Sequence, residues 1–218
     1  MAQAIDRDHF YGNFPSSKLH GRLLNPSRKE GFEAIFDAWE GLKNFDDRDG
    51  LAYALATAWH ETGARMLPVR EGNAASDEQA IRIVTAYCKQ KGRSNYAAPA
   101  RNGKSYFGRG YVQLTFAANY KKMGARLGMG SQLYDDPDRA MEPAIAAKIL
   151  LIGMAEGLFR PGQGTLATYF SGAVTTWVGA RDLINGDGDL VPAWAEPQSI
   201  GEIVAGYGKA FAGALRPA

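Results

Sequence analysis

LAYALATAWHETGARMLPVREG, Leu51 to Gly72, begins as an unbroken apolar run, closes on a His-Glu-Thr triplet and passes through Gly63 into a loop carrying a second glutamate, Glu71. Leu51, Leu55, Trp59 and Thr62 recur at helical spacing, which predicts a helix from Leu51 to Thr62 with Gly63 as its stop. Ala54, Ala58 and Glu61 fall at i, i+4 and i+7. Glu61 therefore continues a row of small residues bordering the buried stripe and is expected to be partly shielded from water. It also lies in the last helical turn, where free carbonyls disfavour an anion by ~0.3 to 1 kcal/mol at an exposed site. Both effects favour the protonated form, which a general acid needs near neutral pH. The alternative is a glutamate on a solvated helix edge with no role.

His60 does not share a face with Glu61, because neighbours i and i+1 on a helix point apart. The zinc-protease pattern requires a second histidine at position 64, which is Ala64, and only His9 and His20 accompany His60 in the chain. No metal is expected, and His60 is read as packed or hydrogen-bonded. Hydrolysis of a glycosidic bond by two carboxylates needs a partner for the acid, ~6.5 to 9.5 Å away in the inverting form. Glu71 is the nearest candidate, beyond the helix end after Pro68 and Arg70, with Glu78 in reserve. The alternative for Glu71 is a surface glutamate beside Arg70.

Composition sets outer limits. The 218 residues are 45% apolar and 22% charged, which fits one globular domain or two small lobes around a shared core. A net charge of +2 is too small to imply nucleic acid as a partner. Cys88 stands alone, so packing rather than an internal disulfide holds the fold. MAQAIDRDHF lacks the basic start and apolar segment of a signal peptide, so a cytoplasmic location is expected. Ala144 to Phe159, the most apolar stretch, contains Lys148 and Glu156 and is shorter than the ~20 residues a bilayer requires, so it is read as a core helix and not a membrane span.

Other segments follow the same periodicity. Ser27 and Glu30 read as a capping box before Phe32, Ile35, Phe36, Trp39 and Leu42, and Ser76 and Gln79 as another before Ala80, Ile81, Val84 and Cys88. Gly92 to Lys104 reads as a long surface loop. SYFGRGYVQLT, Ser105 to Thr115, reads as extended chain with a tight turn at its glycines. Phe116, Tyr120, Met123 and Leu127 then resume helical spacing, Ile145, Ile149 and Ile152 point inward, and Ile203, Tyr207, Phe211 and Leu215 form the last stripe. The expected fold class is mainly α, with a small extended region between helices that form two lobes around a cleft.

The order AYALATAWHET, SYFGRGYVQLTFAANY and LINGD resembles glycoside hydrolase family 19, the plant-type chitinases and the phage and bacterial endolysins that share their lysozyme-like helical fold. The resemblance covers about Leu51 to Leu190 and implies a single catalytic domain over residues 1–218, with no cofactor. It implies that Glu61, the Glu of the His-Glu-Thr motif, is the catalytic acid. It further implies sugar contacts from Tyr106, Arg109, Gln113, Asn119 and Tyr120 around the Gly-Arg-Gly segment, and from Asn185 in Ile-Asn-Gly. Plant chitinases carry their second carboxylate in a Lys-Gln-Glu-Arg-Gly stretch, and the look-alike Lys89, Gln90, Lys91 and Gly92 has no glutamate. Phage-like members carry a Pro-x-Arg-Glu run, which Pro68 to Glu71 matches. The resemblance thus points to Glu71 as the second carboxylate, and to a monomeric peptidoglycan hydrolase released from the cytoplasm to the cell wall, with a chitinase or a catalytically silent glycan-binding module as the alternatives.

Judged without the family, several of these residues have plainer readings. Arg109 between two glycines can pair with a carboxylate and hold the turn. Gln113 can bond backbone. Tyr106 and Phe107 alternate, so one is expected in the core and one outside. Asn185, Asp187, Asp189 and Glu196 imitate a calcium loop, but Leu190 stands where glycine is required and Pro192 interrupts it.

Overall fold

The computed structural model describes residues 4–42, 47–172 and 174–218. Along the chain run α1 (Arg7–Gly12), α2 (Pro26–Glu40), α3 (Arg48–Glu61), β1 (Val69–Arg70), α4 (Asp77–Gln90), β2 (Arg109–Gly110) and α5 (Ala117–Arg126). They are followed by α6 (Gln132–Asp135), α7 (Pro143–Ala155), α8 (Leu166–Tyr169), β3 (Phe170–Ser171), β4 (Val174–Thr175) and α9 (Ile200–Ala212). The protein is mainly helical, as expected. It divides into two compact units, Met1–Met66 with Leu150–Ala218, and Leu67–Ile149. No helix among the described residues is long and apolar enough to cross a membrane.

The first unit is built on α3. Asp47 caps it by accepting from the amides of Asp49 at 2.9 Å and Gly50 at 3.2 Å, and every residue from Gly50 to Trp59 is buried. The sequence spacing predicted a stripe; the alanines at 52, 54, 56 and 58 instead let neighbouring elements approach from all sides. α9 packs along it. Phe10 meets Phe36 edge-on at 5.0 Å, Phe32 stacks on Trp59 at 6.3 Å, and Trp59 meets Phe211 at 5.9 Å. The predicted stripe Ile203, Tyr207, Phe211 and Leu215 is buried as expected.

α2 starts earlier than its predicted capping box. Pro26 occupies the first helical position, where its fixed φ and missing N–H cost nothing, and Asn25 caps by accepting from Arg28 N at 2.8 Å. Ser27 and Glu30 are therefore inside the helix. Gly31 of α2 passes so close to the chain after α3 that an added Cβ would lie 1.7 Å from the Met66 carbonyl oxygen. Gly31→Ala is expected to destabilise the protein by at least ~1 to 3 kcal/mol through overpacking, read as a lower denaturant midpoint with an unchanged slope.

The second unit centres on a two-residue antiparallel ladder, Val69 opposite Gly110 and Arg70 opposite Arg109. Ser76 caps α4 as expected, accepting from Gln79 N at 3.3 Å, while the Gln79 side chain accepts from Ala75 N at 2.8 Å, one residue before the reciprocal bond of a capping box. Val84 and Cys88 pack with Ala74, Ala80, Ala97 and Phe107, so Cys88 is a packing residue. Two expectations need correction. Phe116 precedes α5 with φ 72° and is 53% exposed, outside the buried stripe of Tyr120 and Met123. α7 ends at Ala155, not Phe159, because the chain turns back with Leu158 N donating to Gly153 O at 2.8 Å; Ile145 and Ile149 are buried and Ile152 is half-buried.

Candidate functional site

Glu61 closes α3 in the first unit, its side chain only 18% exposed, and its Oε1 accepts from Arg181 Nη1 at 2.6 Å. Arg181 is 2% exposed and belongs to the short helical stretch Gly179–Leu183. Its Nε and Nη2 donate to the two oxygens of Asp187 at 2.7 and 3.0 Å, a forked pair that fixes the guanidinium plane. Burial pushes the Asp187 carboxyl upward, but the hydrogen bonds and charge of Arg181 outweigh it and hold the group below the usual carboxylate range. One guanidinium thus faces two carboxylates. The expected shielding of Glu61 is present, and the cation beside it was not foreseen.

Asn185 is exposed on the following turn. Its Nδ2 donates to Asp187 Oδ2 at 3.1 Å and its Oδ1 accepts from Gly186 N at 2.9 Å, so it braces the carboxylate that braces Arg181. Asp187 is engaged by an arginine rather than arranged around a calcium ion. Burial lowers the His60 imidazole below its ordinary value, with Arg181 contributing in the same direction against Glu61.

Glu71 belongs to the second unit and is half-buried. Its Oε2 accepts from Gly108 N at 2.7 Å and its Oε1 accepts from the Tyr96 hydroxyl, while its backbone N–H donates to Gly108 O at 2.8 Å. The backbone bond prolongs the β1–β2 ladder by one step and sets the side chain against the Gly-Arg-Gly segment. Gly108 is required there by space, because an added Cβ would lie 2.7 Å from Gln113 Oε1 and 3.2 Å from Glu71 Oε2. Gln113 has φ 56° and anchors itself by donating from Nε2 to Val69 O at 2.9 Å and Gly110 O at 3.3 Å, the backbone role its residue type suggested. A left-handed backbone at a non-glycine residue costs about 1 to 2 kcal/mol, so the surrounding bonds hold this amide in place against strain.

Three of the residues implied as sugar contacts are interior. Tyr106, Arg109 and Tyr120 are 2%, 1% and 0% exposed. Arg109 Nη2 donates to Asp77 at 2.6 Å, Nε to Asp138 at 2.9 Å and Nη1 to Ser105 O at 3.0 Å, with its guanidinium 3.7 Å above the Phe107 ring. A buried cation is tolerated only with its donors satisfied, and here they are engaged by protein; the structural reading of Arg109 describes it. Tyr120 OH donates to Phe107 O at 3.1 Å. Tyr106 stacks on Tyr134 at 5.0 Å, and its hydroxyl donates to Tyr134 O at 2.8 Å. Tyr106 and Phe107 are both buried, because this segment bends around Arg109 and does not run as a flat strand with two faces. Asn119 is exposed, with Nδ2 donating to Thr115 O at 2.8 Å.

Sequence reading missed Arg181, Tyr96 and Phe116. Tyr96 holds Glu71, and the exposed Phe116 ring lies 5.3 Å from it, an aromatic surface beside a carboxylate. Arg181, four residues before Asn185 in VGARDLINGD, carried a signal: an arginine just before the Leu-Ile-Asn-Gly-Asp run, with an aspartate two residues after the asparagine.

A family model described as class I chitinase, glycoside hydrolase family 19, matches residues 35–161, more than half of the chain. Chitinase 5 of Oryza sativa subsp. japonica is 34% identical over 109 residues, 50% of this chain and 33% of that protein. Chitinase 4 of the same plant is 33% identical over 109 residues with the same coverage, so the chain spans about a third of the length of these curated relatives. The crystal structure of chitinase C from Streptomyces griseus HUT6037 matches 98% of this chain and 78% of that chain with a TM-score of 0.60 at 21% identity, a likeness of fold. A bacterial family 19 chitinase matches 97% of this chain and 94% of that chain with a TM-score of 0.56 at 25% identity.

Proposed function

Because the chain belongs to glycoside hydrolase family 19, the class I chitinases, we propose that it hydrolyses β-1,4 linkages between amino sugars, with peptidoglycan as its substrate and cell-wall lysis as its role. The observation carrying this reading is the Glu61–Arg181–Asp187 chain of contacts. One guanidinium cannot neutralise two carboxylates. Asp187 takes two of its hydrogen bonds and Glu61 Oε1 takes one, and in this proposal the proton for the leaving group is carried on the Glu61 oxygen that Arg181 does not touch. When Glu61 passes that proton to the glycosidic oxygen, the negative charge it acquires meets a cation already in position, with no reorganisation during the reaction.

Glu71 is the second carboxylate in this proposal. Held by Tyr96 and Gly108 N, it orients water or stabilises the oxocarbenium-like transition state. Glu71→Gln is expected to lower turnover on cell-wall sacculi by about 10²- to 10⁴-fold with little change in melting temperature. Full activity in that variant would transfer the role to another carboxylate.

Peptidoglycan is preferred because residues 89–92 lack the plant-type glutamate while Pro68 to Glu71 supplies one in the run seen in phage-like members. The names of the rice and bacterial relatives favour chitin as a second reading. Incubation with purified sacculi and with chitin oligomers separates them: reducing ends should appear from sacculi, and release from chitin alone would overturn the cell-wall assignment.

A further inference from the structure

A cavity of about 520 Å3 lies in the first unit beside the end of α3, on the side of His60; Glu61 is not part of its wall. Arg22, His60, Trp194, Glu196, Gln198 and Tyr207 contribute to the lining. The volume is that of a small-molecule site, ~300 to 1,000 Å3. Nothing in the Glu61 or Glu71 chemistry uses it.

Three features of its wall point to one kind of ligand. Trp194 is 68% exposed, a broad apolar face left in water at the cavity edge and suited to the apolar face of a pyranose. The half-buried His60 ring hydrogen-bonds to no described residue, and in its neutral form it offers one donor and one acceptor; Gln198 adds an amide with the same dual capacity. Arg22 is exposed at the cavity, and its guanidinium has no carboxylate partner among the described residues. His20 and Glu196 also line the wall, but no group of three donors that could hold a metal ion exists among the described residues, and His20 packs edge-on to Tyr207 at 5.9 Å.

We propose that this cavity binds an N-acetylated amino sugar bearing a carboxylate, with its ring against Trp194, its acetamido group on His60 and Gln198, and its carboxylate on Arg22. Glu196 accepts from the sugar hydroxyls. The proposal rests on the peptidoglycan reading, since chitin offers acetamido groups and hydroxyls but no carboxylate, whereas a muramic residue without its stem peptide carries one on its lactyl ether. It adds a recognition element for the anionic sugar beside the end of α3, with Glu61 outside its wall.

The test uses the full chain carrying Glu61→Gln to suppress turnover, titrated calorimetrically with N-acetylglucosaminyl-N-acetylmuramic acid and with di-N-acetylchitobiose. The anionic disaccharide should bind about 10-fold more tightly, and Arg22→Ala should abolish that preference while leaving chitobiose binding unchanged. Trp194→Ala should weaken both by about 10-fold. Both side chains are exposed, so thermal melts should match the parent. An unchanged preference in Arg22→Ala, unchanged binding in Trp194→Ala, or equal affinity for the two sugars in the parent would overturn the proposal. Sacculus digestion by the unmutated chain is measured in parallel. If it digests sacculi while the cavity variants bind like the parent, only the cavity assignment fails; if it digests chitin alone, the peptidoglycan reading fails independently of the binding result.

Discussion

Glu61→Gln should lower turnover on sacculi by about 10²- to 10⁴-fold, the range for losing a general acid, while the folded state survives. Glutamine matches glutamate in size and can still accept from Arg181, and Arg181 keeps its forked pair with Asp187. The loss should therefore fall on kcat, with affinity for the glycan retained. A parent that binds glycan and never cleaves it would identify a silent binding module instead. Collapse of the melting transition in the variant would make Glu61 a structural residue.

Arg181→Met should produce the largest loss of stability. The guanidinium is 2% exposed between two carboxylates that are themselves 18% and 22% exposed. Removing one partner of a buried ion pair costs about 3 to 5 kcal/mol, because the remaining charges are left without compensation. For a chain of this size each kcal/mol lowers the melting temperature by ~2 to 4 °C, so a fall of about 6 to 20 °C is expected. Arg181→Lys should recover part of it, since the charge returns without the fork. The acid side of the stability profile should change as well. Asp187 titrates below its ordinary value when folded, so its pairing contributes fully above that ordinary value and is lost as pH falls through the depressed one. Melts recorded from pH 7 to 3 should show this acid-side loss in the parent and less of it in Arg181→Met. A melting temperature unchanged at neutral pH would mean that the pair contributes nothing to the fold.

Local signals in the sequence carried far. The run from Leu51 announced its helix, and Glu61 lies at its end, shielded as the row of alanines implied. Ser76 caps α4, and the last stripe is buried as its spacing required. Two of the misses at the site, Arg181 and Tyr96, share one physical origin, because each depends on a partner distant in the chain. Arg181 meets Glu61 across 120 positions, and Tyr96 meets Glu71 across 25. No periodicity encodes such meetings. Arg109 was legible in kind but not in partner: its place between two glycines suggested a carboxylate pair holding the turn, and the carboxylates are Asp77 and Asp138, 32 and 29 positions away. Phe116 looked apolar enough for the core but stands at a helix start with φ 72°, which turns the ring outward.

The claim that Glu61 donates a proton is tested most directly by changing how much a leaving group needs one. Hydrolysis rates of the parent and of Glu61→Gln are compared on an amino-sugar oligosaccharide and on its dinitrophenyl glycoside, whose phenolate departs without protonation. A proton donor at position 61 predicts that the variant loses the natural bond but cleaves the activated one at close to the parent rate. Equal losses on both substrates would contradict it.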